Sequence, residues 1–192
     1  MIYLLVILAV VAFYLWSVYN RFVTLKTRIK ASIQEIGNQL KRQADLIPNL
    51  VDSVKGYLKH EKEIFKSLTE ARKAILAATA KNDLGLMSEA QDMLQKTMGQ
   101  FRVLVESTPQ VRAVESVNKL MDELRDTADK VMYSRRTLVD LAANYNIMVV
   151  TFPSNLVANL FHFVQEKGLE TPIAGEHLEV SEKEAKTPKV EL

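Results

Sequence analysis

Three histidines, 23 acidic residues and no cysteine are the raw material for chemistry in this 192-residue chain. The lack of cysteine removes disulfides, thiolate metal sites, iron–sulfur clusters and cysteine nucleophiles, and leaves the redox compartment open. His60-Glu61 begins as the helix motif of zinc hydrolases begins, but the position four after His60 is Ile64. The second imidazole needed on the same helix face is therefore missing. A carboxylate-bridged di-metal bundle needs Glu-x-x-His pairs, and no Glu here has a His three residues later. His162 stands between Phe161 and Phe163 and reads as a packed or interfacial side chain, and His177 falls near the C-terminus. No Gly-x-Ser-x-Gly elbow and no Gly-rich loop after a strand is present. The carboxylates lie among lysines, as in Glu61-Lys62-Glu63, which is the pattern of a solvated helix face. The expectation is no catalytic residue, no cofactor and no metal.

The densest polar signal is the run Gln39 to Val51. Gln39, Arg42, Asp45 and Asn49 recur at three and four residues beside an apolar seam, with Pro48 among them. Arg42 and Asp45 are spaced to pair along one helix, and Asn49 is placed to satisfy backbone groups that Pro48 frees. Two readings fit: a structural network fixing a kink at Pro48, or a partner-docking surface.

The elements that would position these residues are helical. With only 6 Gly and 5 Pro, the chain lacks the breakers of a turn-rich all-β fold. A net charge of +2 argues against a nucleic-acid binder, which carries a basic excess. The mean hydropathy near zero conceals an uneven distribution.

Met1 to Asn20 has no charged side chain, and about 20 apolar residues suffice to cross a bilayer as a helix. Trp16 and Tyr19 sit at its C-terminal end, where amphipathic rings favour the headgroup level. Arg21, Lys26, Arg28 and Lys30 follow before any acid. The run lacks the charged start and small-residue cleavage site of a signal peptide, so residues 1–20 are expected to be a retained transmembrane anchor. The basic collar predicts a short N-terminus outside and the remaining chain in the cytoplasm. The same collar would attract anionic lipid.

From Phe22 the apolar positions step by three and four through Ile29, Ile33, Ile36, Leu40, Ile47, Leu50, Val54, Leu58, Phe65, Leu68 and Ile75, with Gln43, Glu61 and Arg72 as polar interruptions. Pro48, with Asp45 as a cap three residues earlier, predicts a break or sharp kink over Leu46–Asn49. Asn82-Asp83 reads as a turn with a capping residue, and Ser107-Thr108-Pro109 ends or bends the next helix. The cleanest seam runs from Val114 to Phe152 and has Arg135 as its polar exception. After Pro153 a short helix reaches about Gln165. Beyond Gly168 six Glu and three Lys without periodicity predict a disordered tail over 168–192. The fold class is all-α. An antiparallel bundle of about four long helices with coiled-coil-like packing is preferred over one long hairpin, whose seams would stay half exposed. Leu141 to Gln165 carries no charge but many polar groups, so it reads as a packed helix end or an interfacial contact rather than a second span.

Tyr19-Asn20, the Gln39–Val51 run, Val54-Lys55-Gly56-Tyr57, His60-Glu61, Ala71-Arg72, Tyr145-Asn146 and Phe152-Pro153-Ser154-Asn155-Leu156 resemble the LemA family. The similarity covers about residues 14 to 165, in the family's order, and departs from it at Ser134–Leu138. The resemblance implies a membrane-anchored helical bundle over 21–167, with no catalytic residue to carry over. It also implies a bacterial envelope setting and an association with membrane metalloproteases. The expected function is a non-enzymatic scaffold or interaction protein of the inner membrane, possessing a protein partner or self-assembling. Adaptor to a membrane protease and lipid remodeller are the alternatives. Neither nucleic acid nor a small-molecule substrate is expected.

Overall fold

In a computed structural model the described residues, 1–58 and 60–166, form helices joined by turns, with no strand among them. The expected tail at 168–192 lies outside the described residues. The helices are α1 (Ile2–Val54), α2 (Lys62–Lys81), α3 (Leu84–Ser107), α4 (Pro109–Arg112), α5 (Glu115–Val150) and α6 (Ser154–Leu160).

The break expected at Pro48 does not occur. α1 is one helix of 53 residues with Pro48 inside it, about 80 Å long at the helical rise. Asp45 is accordingly a mid-helix, exposed residue and caps nothing. Two features hold the helix through the proline. Ala44, Ile47, Leu50 and Val54 are all buried around it, so melting the turn would expose core. Proline also removes the N–H that would bond the carbonyl four residues earlier, at Ala44. Arg72 of α2 fills that vacancy, its Nε donating to the Ala44 carbonyl at 3.0 Å.

The chain turns instead after Val54, where Leu58 folds back into the core. The next turn lies where the sequence placed it. Asn82 takes a left-handed conformation (φ 52°), and Asp83 caps α3 by accepting from the Leu86 N–H at 3.0 Å. Thr108, in an extended conformation, separates α3 from the single turn of α4, which Pro109 begins.

α1 and α5 run antiparallel and form the main contact. Ser32 Oγ donates to the Ser134 carbonyl (3.1 Å), Gln43 Nε2 donates to the Leu124 carbonyl (3.3 Å), and the Phe22 and Tyr145 rings meet edge-on at 5.6 Å. α2 packs on α1 and on α3, and α6 closes the end nearest the N-terminal segment. The α5 seam is buried at Val117, Leu124, Val131, Leu138, Ala142 and Tyr145 but ends before Phe152, which is 74% exposed. α6 is also shorter than its pattern: it stops at Leu160, where His162 turns left-handed (φ 57°) and the Phe163 N–H bonds the Ala158 carbonyl at 2.9 Å.

The first part of α1 belongs to no core. Every large apolar side chain from Ile2 to Phe13 is 50% exposed or more. This helix is long and apolar enough to cross a membrane.

Candidate functional site

The polar run on α1 is built into the packing, but with partners other than those its spacing suggested. Arg42 does not pair with Asp45. It reaches across to Glu123 of α5, Nη2 to Oε1 at 2.5 Å. The hydrogen bond and the charge of Glu123 raise the guanidinium pKa further above its ordinary range. Gln39 donates to Glu35 one turn back at 2.7 Å. Asn49 makes no side-chain bond to the region around Pro48; its own carbonyl accepts from Ser53. That leaves Asp45 and Asn49 exposed, one turn apart on the outer face of α1.

The polar interruptions of the seams explain more than the stripe does. Gln43, only 2% exposed, bonds α5, and Arg72 bonds α1. Arg135 of α5 donates to Ser88 Oγ of α3. Each joins two helices whose apolar seams alone do not fix their relative height.

Sequence reading did not find the groove between α3 and α5, of about 500 Å³. Gln43, Gln91, Leu94, Met98 and Leu124 line it, and at its rim the pairs Arg102–Glu106 (3.1 Å) and Asp122–Arg125 (2.9 Å) are closed on themselves. Gln43 Oε1 and Gln91 Oε1 are buried with no donor. The only advance signal for this place was Gln43, a polar residue at a seam position. Its two lining carboxylates, Glu106 of α3 and Asp122 of α5, are each paired with an arginine of their own helix.

No group of His, Asp and Glu capable of holding a metal occurs among the described residues. His60 is exposed in the turn before α2, and His162 is exposed at the end of α6 as a helix-terminating residue. The collar residues are likewise exposed. Trp16 stacks loosely on Phe13 (5.8 Å between centroids), Arg21, Arg28 and Lys30 face outward, and Lys26 meets Glu166 at 3.4 Å. Tyr19 lies against Phe161 at 4.8 Å and Phe163 at 5.7 Å. Tyr19 and the segment that follows α6 therefore lie at one level.

Tyr145 at this end is fully buried against Phe22 with its hydroxyl unpartnered. Burial first, and the Glu166 charge second, raise its pKa above the ordinary tyrosine value.

The class defined by these features is an all-helical protein whose longest helix continues from an exposed apolar segment into a packed body. The LemA family model matches residues 32–191, and the chain belongs to the LemA family. It is also similar to two magnetosome proteins. One is MamQ of Magnetospirillum gryphiswaldense, 22% identical over 82% of this chain and 66% of that protein. The other is MamQ 2 of Paramagnetospirillum magneticum, 23% identical over 88% of this chain and 72% of that one. The chain thus spans about two thirds of the length of these relatives.

Proposed function

We propose that this protein is a single-pass, membrane-anchored helical scaffold of the bacterial envelope that acts by binding other proteins or copies of itself rather than by catalysis. The observation that carries the reading is the ten large apolar side chains of Ile2–Phe13, at least half exposed on a helix continuous with the packed body. Such a surface is costly in water and stable in lipid. The basic side chains after Asn20 support an external N-terminus and a cytoplasmic body in the inner membrane. Family membership and the named magnetosome relatives are compatible with an organising role at a membrane.

Asp45 and Asn49 are the exposed remainder of the polar stripe and the place to look for a partner. A photo-crosslinker at either position, in the full-length protein in cells, is expected to give one discrete adduct with a second copy or another membrane protein. Only monomer, by crosslinking and by size after detergent extraction, would refute the scaffold reading.

A further inference from the structure

We infer that the end of the helical body formed by the α5–α6 turn and residues 161–164 is itself inserted in the interfacial layer of the bilayer, as a second contact beside the anchor. The inference rests on the reading of residues 2–20 as membrane-spanning and adds a surface which that reading does not contain.

The height of this end relative to the anchor is fixed by contacts. Phe161 and Phe163 lie against Tyr19, and α6 packs on α1. Tyr14, Leu15 and Val18 are half-buried against the body's core rather than exposed like their neighbours. These three belong to the apolar span. The body therefore begins about 9 Å below the end of the span at Asn20, counting six residues from Tyr14 at the helical rise. It cannot sit wholly above the headgroups while residues 1–20 fill the hydrocarbon.

The surface at that level suits lipid. Ile147 (57% exposed), Val150 (59%), Phe152 (74%), Leu156 (57%), Leu160 (61%) and Val164 (66%) face outward with no charged residue between Leu141 and Gln165. Elsewhere on the body, exposed apolar side chains such as Val103 and Tyr133 have charged neighbours in sequence. Two polar side chains of this end are bonded inward, whereas Thr151, Asn159 and His162 are exposed, a mixture that suits the interfacial layer rather than the hydrocarbon core. Ser154 Oγ bonds the Met148 and Thr151 carbonyls (2.7 and 2.8 Å), Asn146 bonds the Glu166 backbone in both directions (2.9 Å each), and the end of α6 is closed by the Phe163 N–H. The first charge above this zone is the exposed Arg21, about 3 Å beyond Tyr19 along α1, and the paired Lys26 and Glu166 follow. They lie about 10 Å beyond Tyr19 along α1, where headgroups give way to water. Continuity with the anchor selects lipid as the occupant of this patch.

The native chain has no cysteine, so single cysteines can be spin-labelled in the full-length protein in phosphatidylcholine–phosphatidylglycerol vesicles. Labels go at F152C, L156C and V164C, with V10C in the anchor and Y133C on the body as references. Oxygen, which partitions into lipid, and a water-soluble nickel chelate report depth. The expected result is an oxygen-to-chelate accessibility ratio at 152, 156 and 164 several-fold above that at 133 and approaching that at 10. Ratios at the three positions equal to that at 133, with position 10 still in lipid, would overturn the inference and leave the anchor standing. Chelate access at position 10 would overturn both. Protection at 152 and 156 together with spin–spin broadening would assign the patch to a second copy and overturn the lipid assignment. Unchanged far-ultraviolet circular dichroism confirms that each variant is folded.

Discussion

Arg72 should matter chiefly because residue 48 is proline. The perturbation is a double-mutant cycle of R72M and P48A. In the native background R72M removes a charge-assisted hydrogen bond and leaves the Ala44 carbonyl, in a residue with no exposed surface, without a donor. Bonds to charged groups contribute about 1.5–3 kcal/mol, and orphaned buried acceptors cost in the same range. With Arg72 half exposed, about 2 kcal/mol is the reasonable figure for both together. The P48A substitution restores a backbone N–H placed to bond the Ala44 carbonyl. In that background the same R72M change leaves no orphan and should cost about 1 kcal/mol or less. The expected coupling of about 1 kcal/mol exceeds the 0.3–0.5 kcal/mol within which independent sites add. P48A alone is a poor guide: it relieves ring crowding but loosens the unfolded chain, and these oppose each other. The assay is thermal unfolding in detergent micelles followed at 222 nm, where about 1 kcal/mol corresponds to roughly 2–4 °C for a chain this long. Equal losses from R72M in both backgrounds would refute the idea that Arg72 compensates the proline.

Three further outcomes follow from the same contacts. Asn82 is left-handed without a compensating side-chain bond, so N82G should be neutral or stabilise by up to about 1 kcal/mol, while D83A should cost about 1 kcal/mol through loss of the α3 cap, both by thermal unfolding. The Tyr145 hydroxyl is buried and unpartnered, so Y145F should raise stability by about 1 kcal/mol at neutral pH. Its folded pKa is raised, so its contribution is intact below the unfolded value of about 10 and is lost as pH rises through the folded pKa. Y145F should flatten that part of the alkaline fall in a pH series. The Arg42–Glu123 pair is half solvent-exposed, so E123Q should leave the unfolding temperature nearly unchanged, and a clear loss would mean that the pair braces the α1–α5 contact more than its exposure allows.

What could be read from the sequence divides by range. Turns set by neighbouring residues were legible: Asn82-Asp83 and Thr108-Pro109 terminate helices through their own backbone preferences and caps. The α1 and α5 seams were legible because burial imposes a helical period on the apolar residues. Pro48 was misread because its effect depends on a donor far along the chain, and a local rule cannot register Arg72. Arg42 was misread for the same reason, its partner lying 81 residues away while Asp45 was at hand. The turn after Val54 was hidden because Leu58 is buried there without being helical, so the apolar period runs on through a break in the backbone. The α3–α5 groove had no local signature, since it is a spacing between helices and not a property of either.

The polar exceptions to the seams also have a consequence for the membrane end. Apolar residues repeating every heptad would let α5 slide along α1 by about seven residues with much of the apolar match kept. Gln43 to Leu124 and Ser32 to Ser134 oppose that slip, because each joins a side-chain donor to one particular carbonyl in the buried contact. Arg135 to Ser88 and Arg72 to Ala44 extend the same constraint to α3 and α2. A slip of one heptad is about 10 Å, which would carry Phe161 and Phe163 away from Tyr19 and break the packing of α6 on α1. The register set by a few polar bonds in the body therefore also sets the depth at which the α5–α6 turn meets the anchor.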